Sequence, residues 1–134
     1  MRIVIMDGQG GGVGKQIAER LKDNGLAGDV IVVGTNAVAT SNMMKAGIAA
    51  GATGENAVAY NCARADIIVG PIGIIVPNAM YGEITPAMVM AVGESEARKI
   101  LIPVQNMHIH IAGMEQKNLT ECVKAAVAEI LAAL

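Results

Sequence analysis

The chain has 134 residues, 53 % of them apolar, with 16 Gly, two Tyr, no Trp or Phe and a formal charge of −2. That length implies one domain, burying roughly two thirds of the surface its unfolded chain exposes; no disulfide or structural metal is needed, and a separate substrate domain is excluded. So few rings exclude single-strand nucleic-acid recognition by stacking, and the slightly acidic balance lacks the footprint of a nucleic-acid binder.

Arg2-Ile-Val-Ile-Met-Asp7 is a short β-branched run ending in a polar residue and a glycine cluster, the form of a buried parallel strand entering a tight turn. From Val13 to Asn24, Val13, Ile17, Ala18 and Leu21 recur at helical spacing while Lys15, Glu19, Arg20 and Lys22 fall elsewhere, and Asn24-Gly25 ends the helix. Val30 to Val33 is a second apolar strand closed by Gly34. Strand, helix and strand in about 30 residues make a βαβ unit with parallel strands.

Helices are expected over Ala37 to Gly47 and Glu55 to Ala65, with a strand at Ile67 to Gly70. Ile72 to Val76 either extends that strand or forms a loop strand. Thr85-Pro86 starts a helix with a capping residue and then Pro at the first helical position, running to about Ala97. Ile100 to Val104 reads as a strand, and His108 to Ala112 as a last one. Asn118 and Glu121 form a capping box, and Leu119, Val123, Val127, Ile130 and Leu131 supply the apolar face of the terminal helix. The pattern implies one α/β domain over residues 1–134, a mainly parallel sheet of about five to six strands flanked by helices.

Cys62 and Cys122 lie far apart and form no metal or disulfide pattern; they read as small core residues in a reduced setting. The apolar run after Met1 is too short for a signal peptide. The charge-free stretch from Ile67 to Gly82 is interrupted by Pro71 and Pro77 and is too short to span a membrane. A soluble, cytoplasmic protein with no nucleic-acid or membrane partner is expected.

The chemistry is concentrated in Asp7-Gly-Gln-Gly-Gly-Gly-Val-Gly-Lys15. Five of the seven residues Gly8, Gln9, Gly10, Gly11, Gly12, Val13 and Gly14 are glycine, so the backbone can turn sharply and offer N–H groups to a phosphate at the positive end of the helix. The alternative is a structural glycine loop serving only turn geometry and close packing. Lys15 either adds charge to the phosphate site or is an ordinary helix lysine.

Three phosphate-loop templates compete. A Walker-type loop matches at Gly14-Lys15, but Gln9 and Gln16 stand where it needs Gly and Ser/Thr. Gly11-Gly-Val-Gly-Lys15 resembles the loop of MinD/ParA-type ATPases, yet no later apolar strand ends in Asp. The G-x-G-x-x-G pattern places Val13 at its third glycine. The Gly-x-x-x-Gly-x-Gly form of short-chain dehydrogenases fits at Gly8, Gly12 and Gly14, and Ile17 to Leu21 resembles that family's first helix. The resemblance covers the first quarter of the chain and implies a Rossmann-like fold and an NAD or NADP cofactor. The acid that would hold a ribose 2′-OH after the second strand is replaced by Gly34-Thr35-Asn36, so Thr35 or Asn36 is the candidate ribose contact. The catalytic Tyr-x-x-x-Lys has only an echo in Tyr60 to Arg64, too early and with Arg for Lys; Tyr60 reads as a packed helix residue.

The Asp7 to Gly12 opening, Gly70 to Pro86 with Gly-Glu-Ile-Thr-Pro, and Glu94 to Pro103 resemble a family of small bacterial proteins known as domain of unknown function 3842. That resemblance covers essentially the whole chain and implies a Rossmann-like domain without an assigned activity. In a doubly wound sheet, Gly70, Asn78, Glu83 and Thr85 would lie near the glycine loop, unless Asn78 to Thr85 serves an oligomer contact. His108 and His110 would share a strand face, but two imidazoles do not make a metal site, and none is assigned.

A protein that binds a phosphate-bearing small molecule is therefore expected, NAD or NADP favoured and ATP the runner-up, acting as a sensor or an oxidoreductase-like subunit. The cofactor-binding candidates are Gly8 to Lys15, Thr35, Asn36, Gly70 and Asn78; no catalytic residue is assigned. The rival readings are an oligomeric scaffold and a degenerate Walker-type protein. Met43, Met44, Met80, Met88 and Met90 are apolar surface to cover, which favours a homo-oligomer.

Overall fold

The computed structural model describes residues 1–104, 108–115 and 117–134. Its elements in chain order are β1 (Ile3–Asp7), α1 (Gly12–Asp23), β2 (Val30–Gly34), α2 (Ala37–Met44), β3 (Gly51–Thr53), α3 (Glu55–Cys62), β4 (Ile67–Pro71), α4 (Pro86–Glu94), β5 (Arg98–Ile102) and α5 (Leu119–Ala132). The strands form one all-parallel sheet in the order β3-β2-β1-β4-β5. Among the described residues this is a single α/β domain, five strands and five α-helices, of the Rossmann-like kind.

β1 occupies the centre, and all five of its residues are buried. Strand alternation sends Ile3 and Ile5 to one face, where they join Ile17, Leu21, Val127 and Ile130 from α1 and α5. Val4 and Met6 point to the other face and pack with Val58, Met88 and Val92 from α3 and α4. Both faces of the sheet are thus covered, which is why its strands read as unbroken apolar runs. The chain lays down β1, β2 and β3 outward and then returns through α3 to place β4 beside β1. The reversal between β1 and β4 opens a crevice at their carboxyl ends.

Several expectations need revision. Ile72–Ile75 is a turn of 3-10 helix, neither a continued strand nor a loop strand. His108 to Ala112 forms no strand. β3 has a sequence, Gly-Ala-Thr, without strand propensity; pairing with β2 makes it a strand. α4 stops at Glu94, short of Ala97, because Ser95 turns extended and its hydroxyl accepts the Ala97 N–H at 3.1 Å and donates to the Cys62 carbonyl at 2.6 Å. Met43 and Met88 are buried within the chain itself, while Met90 is 60 % exposed. Among the described residues no helix is long and apolar enough to cross a membrane.

Candidate functional site

The glycine loop bridges β1 and α1 at the carboxyl edge of the sheet. Asp7 is buried at its base, accepting the N–H of Gly8 at 2.7 Å through Oδ1 and that of Gly14 at 2.8 Å through Oδ2. One carboxylate therefore ties both ends of the loop. Burial raises its pKa above the usual value; the Gly14 and Gly8 N–H groups oppose that shift, and the nearby Glu83 charge adds to it.

The five glycines of the loop divide by what the fold demands of them. Gly11 takes the left-handed conformation at φ +70 as the N-cap of α1. A Cβ at Gly14 would strike the Met43 side chain and crowd Asp7, and one at Gly8 would meet Met80 Sδ at 2.6 Å and Thr35 Oγ1 at 2.7 Å. At Gly10 and Gly12 an added Cβ would meet nothing within 4 Å. Among the described residues the Gly10 and Gly12 N–H groups also make no hydrogen bond, whereas Gln9 and Gly11 donate to Glu83 and Gly8.

Beside the loop lies a cleft of about 660 Å³, lined by Asp7 to Val13, Gln16, Pro71, Gly73, Ala79, Met80, Tyr81, Val104 and Leu119. Its place is the β1/β4 reversal, and its size suits a small-molecule site. Gly8, Gln9, Gly10, Gly11, Gly12 and Val13 of the candidate set thus line one space. Gly14 faces the core, and Lys15 is half-buried outside the lining, with Gln16 there instead. Gly70 lies within β4, where a Cβ would collide with the Met6 carbonyl, so its role is close strand approach.

The segment from Val76 to Thr85 folds over the cleft as a strap. The Asn78 N–H donates to the Ile84 carbonyl at 2.7 Å, and the fully buried Ile84 anchors the strap. Asn78, Met80 and Tyr81 all have positive φ, at 65°, 58° and 56°, and the Tyr81 side chain is fully exposed at the rim. Thr85 ends the strap by capping α4, accepting the Met88 N–H at 3.1 Å and donating to Glu55 at 2.6 Å.

Glu83 fastens this strap to the loop. Its Oε1 accepts from the Gln9 N–H at 2.8 Å, the Thr35 hydroxyl at 2.7 Å and the Asn36 amide at 2.8 Å. Asn36 also donates to the Gln9 carbonyl at 2.9 Å and caps α2 through Oδ1. The Thr35 hydroxyl, joined by the Gln9 N–H and the Asn36 amide, holds the Glu83 carboxyl below the ordinary carboxylate range against a smaller burial effect. Thr35, Asn36 and Glu83 are thus brought together; the sequence offers no local pattern joining positions so far apart.

Elsewhere, Tyr60 is exposed on α3, with the Arg64 guanidinium 3.7 Å above its ring, rather than packed inside. Burial pushes the Cys62 thiol up to about 11, as befits a core cysteine, whereas Cys122 is partly exposed. His108 is exposed, and His110 lines a separate cavity with Ile72, Pro103 and Ile109.

The family model described as Domain of unknown function (DUF3842) matches residues 2–134, so the chain belongs to that family. Neither the curated proteins nor the solved structures contain a match.

Proposed function

We propose that this member of the family binds a nucleotide, an NAD- or NADP-type dinucleotide being favoured, with its phosphates on the Gly10 and Gly12 N–H groups at the start of α1. The observation that carries the reading is that the fold itself demands glycine at neither position. Both have room for a Cβ, and neither has a positive φ. Gly12 is the first residue of α1, where the fold would accept alanine as readily. Bare backbone at a helix N-terminus, bordering a cleft, is what close approach of a phosphate requires. Thr35 and Asn36, just after β2, lie outside the cleft lining but are tied to the loop through Glu83 and the Gln9 carbonyl, and are the proposed ribose contacts.

The groups that hold such a cofactor are backbone donors and short polar side chains, which fit a phosphate and a sugar. A nicotinamide, when bound, supplies hydride transfer. Among the described residues the ionisable side chains lining the cleft are Asp7 and Tyr81, and both Asp7 oxygens are engaged by loop N–H groups. The reading is therefore one of binding, as a sensor or as a subunit of an oxidoreductase.

A thermal-shift screen with NAD, NADP, coenzyme A, and ATP with and without magnesium tests it. A ligand at 100 times its Kd stabilises by about 2.7 kcal/mol, several degrees for a domain of this size. Gly12→Ala should leave the free protein as stable or up to about 1 kcal/mol more stable, while the bulkier Gly12→Leu, facing open space, loses the ligand shift. No response to any of these ligands would favour the scaffold reading. A response to ATP only with magnesium would favour the Walker-type alternative.

A further inference from the structure

We infer that Glu83 is the ribose-binding acid of this site and that it selects a nucleotide whose 2′-hydroxyl is unphosphorylated; the inference rests on the nucleotide reading above. In dinucleotide-binding sheets the ribose is held by an acid at the end of the second strand. Here β2 ends in Gly34-Thr35-Asn36, with no acid. The fold places one there from another part of the chain: Glu83 reaches across from the strap and is bonded to both Thr35 and Asn36. A third bond, from the Gln9 N–H, sets the carboxylate directly beside the loop proposed to carry the phosphates.

The division of labour within the carboxylate is informative. All three bonds converge on Oε1, and among the described residues Oε2 receives none. One oxygen is thus fixed in position while the other can accept the hydroxyls of a sugar. The three donors also keep the group ionised, so it accepts hydrogen bonds and repels an added phosphate. Among the described residues no Lys or Arg lines the cleft or bonds to Glu83 to compensate a 2′-phosphate. Gly8 belongs to the same design, since a Cβ there would clash with Met80 Sδ and Thr35 Oγ1 and crowd Glu83 Oε1 at 3.2 Å.

The test is calorimetric titration of the intact protein with NAD and with NADP at pH 7, repeated on Glu83→Gln. This variant keeps an oxygen able to accept at the Oε1 position but loses the charge. Wild type should prefer NAD by on the order of a hundredfold, because a like-charge encounter is costly. In Glu83→Gln NAD should weaken by about tenfold and NADP should gain, narrowing the preference to within about threefold. Thermal unfolding of the unliganded variant establishes that it is folded; if it is not, Glu83→Asp replaces it, retaining the charge but withdrawing it from the sugar, with weaker NAD binding expected and unchanged NAD affinity overturning the assignment. Equal binding of the two dinucleotides by wild type, or an undiminished preference in Glu83→Gln, overturns the role of Glu83 and leaves the nucleotide reading standing. Binding of neither removes the assignment of Glu83 together with the dinucleotide preference on which it rests.

Discussion

Asp7 and Glu83 are two carboxylates placed on either side of one loop, with pKa values displaced in opposite directions. For Asp7, burial outweighs the opposing N–H groups of Gly14, Gly8 and Val13, so its charge is held at a cost and its role is to clamp the loop. Asp7→Asn keeps the shape but turns an NH2 toward a backbone N–H that has donated to a carboxylate oxygen. Losing one charge-assisted bond and stranding a buried donor should destabilise the fold by about 1–3 kcal/mol, read from urea denaturation. An unchanged midpoint would mean that the clamp contributes nothing. The same scale explains the sequence's partial legibility. The glycine cluster announced a phosphate loop because strand, glycines and helix are contiguous, but it did not reveal which glycines serve packing. That division depends on Met43, Met80 and Thr35, neighbours supplied only by the folded chain.

Among the elements, the strands and the helix starts were the most legible. Apolar runs bounded by glycine gave β1, β2 and β4, while Asn36, Thr85 and Asn118 accept the capping N–H bonds at the starts of α2, α4 and α5. β3 was illegible because its three residues acquire strand geometry from β2. In the sequence the strap shows only as a segment, Asn78 to Thr85, that either approaches the glycine loop or serves an oligomer contact. Its three left-handed non-glycine residues each cost about 1 kcal/mol, offset by the burial of Ile84 and the bonds that Glu83 makes to the loop. Because the folded pKa of Glu83 lies below its unfolded value, its contribution is present above the ordinary carboxylate range and is lost as pH falls through the lowered value. Asp7 has the opposite sign: its cost is relieved as pH falls toward the ordinary range. The Gln9 amide, bonded to Glu83, should report this in an NMR titration with a midpoint below the ordinary Glu value of about 4.3. A midpoint at or above that value would falsify the fastening of the strap through an ionised carboxylate.

At the scale of the molecule, topology accounts for what local sequence left open. Returning β4 to the side of β1 brings residues 79–83 against residues 8–13, and with them the acid that β2 lacks. That return also separates the protein's two phenols. Tyr60 borders a hollow with Met1, Arg2 and Val30 at the opposite end of the strands, whereas Tyr81 stands on the cleft rim. In a chain without tryptophan, ultraviolet emission comes from these two rings alone, so the protein carries a native optical probe of its cleft. Tyr60→Phe should retain a change in emission when a dinucleotide is added, and Tyr81→Phe should abolish it. A change surviving in Tyr81→Phe would place the bound nucleotide away from the rim. The shortage of aromatic residues thus leaves one intrinsic fluorophore on the strap at the cleft rim, able to report on occupancy of the cleft without a label.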